Sequence, residues 1–174
     1  MSMFAPEKQV DTAPDCDVII NLIKEGRISS ALRALQNSEN GVGSSIGTAK
    51  LFALGVCFFK AAEYTAASAY FEKALIALKQ SQPQSGLYPK SDTYRKLRKQ
   101  ELASRTYLTP FDNNFIALGG EQIKENIILA LANSCFCEGN KDKAKTLVNS
   151  LVGEEFSEIK TLVSENNFFE KEQS

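Results

Sequence analysis

The chain contains no histidine and no tryptophan, and only two methionines. Without histidine it lacks the usual general base, the usual partner of a serine or cysteine nucleophile, and the commonest zinc ligand. The spacing of its carboxylates places no two of them together in an apolar setting, so no acid/base pair is indicated either. The sequence therefore predicts a protein that is not an enzyme, with no catalytic residue, no cofactor and no metal.

Long apolar runs are missing as well, since no stretch reaches the roughly 18 uninterrupted apolar residues that indicate a membrane-spanning helix. Residues 1–12 lack the continuous apolar segment of a secretory signal. The cysteines, which do not show the regular spacing of a disulfide framework, are Cys16, Cys57, Cys135 and Cys137. These absences predict no membrane partner, and they favour a reducing compartment, the cytoplasm or the nucleus.

Excess charge of either sign is absent, because 20 basic and 21 acidic residues leave a net charge of −1. Such a chain has no overall field to attract nucleic acid or anionic lipid. Its 43% hydrophobic and 24% charged residues are ordinary values for a globular protein, and 174 residues suit a single domain. Bulk charge therefore identifies no partner.

Residues 48–79 contain no proline, and their apolar residues recur at the spacing of helix faces. The first predicted helix carries Leu51, Leu54, Gly55 and Phe58 on one face, and the second carries Tyr64, Ala67, Phe71 and Ala74. Gly55 and Ala67 are small enough for the two helix backbones to approach closely, and the large rings beside them fill the remaining space. The pattern predicts two antiparallel helices joined by a tight turn at 61–63.

This segment resembles the tetratricopeptide repeat, a unit of 34 residues built from two packed helices. The matching positions are Leu51 in place of the usual Trp, Leu54 and Gly55 as the Leu-Gly pair, Phe58 as the Tyr, and Ala67, Phe71 and Ala74 in the second helix. A weaker copy surrounds a turn at Gly139, and its matching residues are Leu131, Ala132 and Ala144. A partial copy surrounds Gly26, with Ala31 after the turn.

The resemblance implies an all-α fold, an α-α superhelix of about three such helix pairs. Apolar residues at helical spacing within 156–163 predict a further helix that caps the last pair. We expect the repeat domain to span residues 13–168, between flexible tails at 1–12 and 169–174. Ala31 and Ala67 lie 36 residues apart, whereas Ala67 and Ala144 lie 77 apart, which predicts an insertion of about 43 residues at 80–122.

The predicted insertion is basic. QSQPQSGLYPKS contains helix breakers, YRKLRKQELASR predicts a short basic helix, and TPFDNNFIALGG is irregular. Its cationic residues are Lys90, Arg95, Lys96, Arg98, Lys99 and Arg105. A solvated helix face is the favoured interpretation, because no nucleic-acid-binding motif accompanies these residues; contact with nucleic acid or an acidic partner is the alternative.

Stacked helix pairs present a groove, lined by their first helices, that binds segments of other proteins. The candidate groove residues are Lys50, Phe52, Ala53, Asn126 and Asn133. In layout, residues 16–168 also resemble the N-terminal region of a repeat-containing subunit of the anaphase-promoting complex, a cell-cycle ubiquitin ligase. That resemblance implies a non-catalytic scaffold that binds other repeat subunits and self-associates. The alternatives left open are an adaptor or co-chaperone in trafficking or chaperone pathways, and a nucleic-acid-associated accessory.

Overall fold

Helix is the only regular secondary structure in the residues that the structure, a computed structural model, describes: 16–37, 47–80 and 90–166. The α-helices are α1 (Cys16–Lys24), α2 (Ile28–Asn37), α3 (Thr48–Lys60), α4 (Tyr64–Gln80), α5 (Asp92–Ala103), α6 (Asn113–Glu138), α7 (Lys141–Asn149) and α8 (Ser157–Ser164), with 3-10 turns at Thr106–Leu108 and Glu154–Phe156. The predicted all-α fold is confirmed. The flexible tails predicted at 1–12 and 169–174 lie outside the described residues.

Helices that follow each other in the chain pack against each other, with one exception. α1 packs on α2, α2 on α3, α3 on α4, α6 on α7, and α7 on α8. The exception is α5, because α4 packs on α6 instead, and α5 contacts the two 3-10 turns. The chain thus forms the pairs α1/α2, α3/α4 and α6/α7, with α5 set beside them. Among the described helices, none is both long and apolar enough to cross a membrane.

The core has two parts. The smaller one joins α1, α2 and α3 and consists of Ile19, Ala31, Leu35, Ala53, Leu54 and Cys57. The larger one is built by α3, α4, α6, α7 and α8 together with Leu102, Tyr107 and Leu108 of the predicted insertion. Residues between α5 and α6 therefore belong to the main core of the protein rather than to a surface loop.

The tight α3/α4 pair depends on a glycine. An ideal Cβ atom built at Gly55 would lie 2.5 Å from Cε1 of Phe71, so any larger residue at this position collides with the aromatic ring. Gly55, Ala67 and Phe71 are all buried. Phe58 is half-buried at the edge of the pair, where its ring stacks on Tyr70 with centroids 5.2 Å apart. The other predicted packing residues are buried too; they are Leu51, Leu54, Ala74, Leu131, Ala132 and Ala144.

The predicted irregular segment TPFDNNFIALGG is wrong from Asn113 onward, because α6 begins there. The side chain of Asp112 accepts a hydrogen bond of 2.9 Å from the backbone N–H of Phe115, which caps the helix. Gly119 has non-helical angles (φ −132°, ψ 36°), and α6 bends at this residue rather than ending. Gly119 thus marks a kink in one long helix, and the predicted insertion at 80–122 is not irregular throughout, because α6 begins within it.

We expect Gly55→Ala to lower the free energy of unfolding by about 1–3 kcal/mol, the usual cost of overpacking. Gly119→Ala is the matched control, because its added Cβ would meet only the Phe115 ring at an ordinary 3.4 Å. Chemical denaturation of both variants measures the difference. Equal stability of the two variants would show that close contact between Gly55 and Phe71 is not required for α3 and α4 to pack.

The α3/α4 turn contains Ala62 in the left-handed region, with φ 61°. A residue with a Cβ costs about 1–2 kcal/mol in this conformation, whereas glycine adopts it freely. Ala62→Gly should therefore stabilise the protein by about 1 kcal/mol. Ala61→Gly is the control: Ala61 has φ −81°, so the same change should destabilise. Thermal melting of both variants shows whether each change raises or lowers the midpoint. A shift in the same direction in both would contradict the role of the backbone conformation at Ala62.

Candidate functional site

The segment after α5 packs on the first helices of the α3/α4 and α6/α7 pairs. The ring of Phe111 stacks on Phe52 of α3, with centroids 4.9 Å apart. Tyr107 is buried, and its hydroxyl accepts a hydrogen bond of 3.2 Å from Asn133 of α6. The chain therefore fills, with its own residues, the face on which a groove was predicted.

This arrangement corrects the predicted groove. Phe52, Ala53 and Asn133 are buried and do not present a surface to a partner. Asn126 is half-buried, and its side-chain oxygen accepts a hydrogen bond of 2.6 Å from Nη2 of Arg98. Lys50 is half-buried.

The predicted basic helix exists as α5, and local signals explain it. Ser91 precedes it and accepts a hydrogen bond of 3.1 Å from the backbone N–H of Tyr94. Asp92 follows in the first turn, where a negative charge complements the helix dipole. Lys96 and Lys99 are exposed, in agreement with a solvated face. Arg98, by contrast, is only 1% exposed, so the interpretation of the whole stretch as solvated is wrong.

Arg98 and Lys90 bind acidic residues of α6 and of the segment before α8. Arg98 donates through Nη2 to Glu125 at 3.4 Å and through Nη1 to Glu101 at 3.3 Å. Lys90 Nζ lies 2.6 Å from Glu155 Oε1 and 3.2 Å from Glu125 Oε1. We call these five residues the charge network. The charge network joins α5 and the residues just before it to α6 and to the 3-10 turn Glu154–Phe156.

Further charges border the charge network. Arg95, which is half-buried, lies 3.9 Å from both Glu155 and Glu154. Of the six predicted basic residues, Lys90, Arg95 and Arg98 lie close to carboxylates of the same chain.

Gly153 has φ 135°, which only glycine adopts without strain, and a Cβ at this position would collide with the carboxylate of Glu155. Glycine is therefore needed here for two independent reasons.

The pKa values within the charge network differ in direction. Burial raises the pKa of Glu125, and the charges of Lys90 and Arg98 oppose this only in part. Burial also acts to raise the pKa of Glu155, but the hydrogen bond and charge of Lys90 outweigh it and hold the pKa below 4.5. For Lys90, burial acts to lower the pKa, yet its two carboxylate partners leave it raised. The pKa shifts of Lys90 and Glu155 thus both favour the charged form of each residue.

The thiols are in apolar surroundings. Burial raises the pKa of Cys57 to about 11, and it also raises the pKa of Cys135. Cys137 is buried as well, so all three thiols are shielded from solvent. Within the described ranges, no group of three histidine, cysteine or carboxylate residues is placed to hold a metal ion.

Open space remains beside α1. A cavity of about 490 Å³ lies between α1, the end of α3 and the segment 105–110. A second cavity of about 320 Å³ lies between α1, α5 and α6. The two cavities share Ile20, Thr109 and Pro110 along their common edge. We call the two cavities together the α1 cleft. The cleft lies beside the face of α3 and α6 on which Tyr107 and Phe111 pack.

Sequence reasoning missed the acidic half of the charge network and the α1 cleft. Glu125 stands beside the strongly apolar stretch IILALA, and Glu155 stands directly before a buried phenylalanine. A charge in such a context indicates a buried partner, and that signal was available. The cleft has no comparable signal, since its walls come from three distant parts of the chain.

No protein-family model, no curated protein and no solved structure matches this chain. Its fold and its site are therefore interpreted from their own chemistry.

Glu155→Gln should lower the free energy of unfolding by about 1.5–3 kcal/mol at neutral pH, because a hydrogen bond to a charged group is lost. The lowered pKa of Glu155 gives a contribution that is present above its ordinary value of 4.5 and is lost as the pH falls through the folded-state value. The difference from the unaltered protein should therefore close in acid.

Denaturant unfolding measured from neutral to acidic pH tests this expectation. The matched control is Glu158→Gln, which removes an exposed carboxylate on the neighbouring helix and should change stability little. A loss that is the same at every pH, or the same in both variants, would show that ionisation of Glu155 does not hold the insertion in place.

Proposed function

We propose that this chain is a non-catalytic protein-binding scaffold of the tetratricopeptide-repeat type. The observation that supports this most is the contact between Gly55 and Phe71, because the Leu-Gly position of a first helix meets the aromatic position of a second. That contact is what the repeat pattern requires of these two residues. Ala67 is buried in the same pair, which also agrees with the pattern.

The other helix pairs support about three repeats. Gly139 takes a left-handed conformation at the end of α6, where its N–H caps the carbonyls of Cys135 and Phe136. Gly26 takes the same region between α1 and α2, with φ 73°. Each pair packs on the next, as in a stack that buries a continuous core. The helix α8 covers α7 and supports the proposed capping role.

The buried polar groups of this protein are engaged in holding it together. Lys90 and Arg98 of the charge network are paired with carboxylates, and Cys57, Cys135 and Cys137 are buried within the core. Neither arrangement resembles a site in which a nucleophile and a base converge on open space. Binding, rather than chemistry, is the role we propose for the α1 cleft.

The layout further supports a particular scaffold. A short first helix pair, a strong repeat, an inserted segment, a second repeat and a short helix follow the arrangement of the N-terminal region of the seventh subunit of the anaphase-promoting complex. We therefore propose a scaffold subunit of that cell-cycle ubiquitin ligase, which binds other repeat-containing subunits, self-associates, and takes no part in ubiquitin transfer. Such a subunit works in the cytoplasm or the nucleus.

The alternatives differ in their support. An adaptor or co-chaperone uses the same stacked pairs, so it remains the second candidate. A nucleic-acid accessory has less support, because Lys90 and Arg98 bind carboxylates of the same chain and only part of the basic stretch stays exposed. Lys96 and Lys99 are the exposed residues that this alternative would have to use.

Affinity purification of the tagged protein from its native cells, followed by mass spectrometry at moderate salt, tests the proposal. We expect several other repeat-rich subunits and ubiquitin-ligase components. The control variant Lys96→Glu with Lys99→Glu should recover the same set, since these lysines lie outside the charge network. Chaperones or transport factors instead would favour the adaptor. Nucleic-acid-binding proteins that the control variant fails to recover would favour the accessory.

A further inference from the structure

The helix α5 takes little part in the apolar core. Among the described residues that form the two parts of the core, Leu102 is the only one from α5, and it lies in the last turn of that helix. The other buried residue of α5 is Arg98, whose side chain is charged. Polar contacts of Lys90, Arg95 and Arg98 therefore provide most of the attachment of the first two turns.

These polar contacts leave some hydrogen-bonding atoms without partners. Four buried side-chain nitrogen or oxygen atoms in the described part of the chain have no hydrogen-bond partner, and three of them lie here: Nε of Arg95, Nε of Arg98 and Oε2 of Glu155. Arg95 Nε and Glu155 Oε2 lie 3.9 Å apart, which is too far for a hydrogen bond. Each unpaired buried atom lowers the stability of the docked position of α5.

The ion pairs compensate for this only in part. Desolvation offsets most of the attraction between buried charges. The side chains of Lys90 and Arg95 are 21% and 38% exposed, so solvent weakens their pairs further. Separating α5 from the protein thus breaks contacts of small net free energy. Separating α3 from α4 would instead expose buried aromatic side chains such as Phe52 and Phe71.

We propose that residues 90–103, which we call the α5 strap, detach from the protein as a unit while the stacked helix pairs stay folded. The strap ends before Tyr107 and Leu108, which are buried and hold the following segment on the core in both states. Detachment exposes the carboxylates of Glu125 and Glu155, which Lys90 and Arg98 bind in the docked state.

The strap is an autoinhibitory device, because the open state presents a surface that the docked state hides. Glu125 and Glu155 are 7% and 1% exposed when the strap is docked, and both become accessible when it leaves. The smaller cavity of the α1 cleft loses Arg98 and Glu101 from its wall at the same time. Any segment that binds these carboxylates has to bind the open state. This inference goes beyond the proposed scaffold function and does not depend on it.

Hydrogen exchange of the full chain at neutral pH, followed for individual amides by NMR, tests the proposal. After correction for intrinsic rates, we expect the amides of 95–103 to share one rate that is roughly a hundredfold faster than that of the amides of 127–132 in α6. Urea below the unfolding transition should accelerate exchange in α6 strongly and in the strap little, because detachment exposes little surface. Strap amides as protected as those of α6 would overturn the proposal.

Two variants show whether the strap opens separately from the rest. Gly55→Ala weakens the α3/α4 pair in the docked and the open state alike, so it should speed exchange in α6 by about fivefold or more and leave the strap unchanged. Glu155→Gln removes a contact that only the docked state has, so it should speed exchange in the strap by about tenfold or more. The matched control Glu158→Gln should change neither region.

Each variant has an outcome that contradicts the proposal. Equal acceleration of α6 and the strap in Gly55→Ala would show that α5 is released only when the whole protein unfolds. Unchanged strap exchange in Glu155→Gln would show that the amides of α5 exchange by fraying while the ion pairs stay intact. If Gly55→Ala does not fold, the urea series makes the same distinction in the unaltered protein.

Discussion

A guanidinium that is 1% exposed has to find opposite charge and hydrogen-bond acceptors within the protein, and Arg98 finds them in Glu125 and Asn126 on α6. The position of α5 depends on this pairing. Among the helices of the described residues, α5 is the one whose neighbours in sequence, α4 and α6, pack extensively on each other rather than on it. Polar contacts of specific geometry, rather than a broad apolar interface, therefore fix where the insertion lies and in which direction it runs.

Once α5 is fixed, the segment that follows it has little freedom. Tyr107 and Phe111 reach Asn133 and Phe52, and the face of the first helices is closed. The same segment supplies one wall of the α1 cleft through residues 105–110. The position of the segment after α5 thus fills the predicted groove and forms one wall of the open cleft. A change in the charge network would affect both. The charge network and the cleft adjoin each other, because Arg98 and Glu101 of the network also line the smaller cavity.

Local patterns allowed the helix pairs to be predicted, since periodicity within 48–79 depends only on neighbouring residues. The turn at Gly139 was predicted for the same reason. The start of α6 does not follow from the local pattern although Asp112 is an ordinary helix cap, because the glycines after it predict a break where the helix only bends. The ion pairs of Lys90 join residues 35 and 65 positions away, and no local pattern reports contacts at that separation. Buried groove residues were misassigned for the same physical reason.

The free energy that keeps the insertion docked comes mainly from apolar burial. Leu102 and Leu108 are nearly fully buried, and each such side chain contributes about 1.5–3 kcal/mol. The ion pairs add less, because desolvation offsets most of their attraction. Their role is positional: removing one partner leaves the other charged and buried, so only one alignment of α5 is tolerated. The walls of the α1 cleft are held in the same way, so its shape is set by the packing of the chain itself and depends on how α5 is aligned.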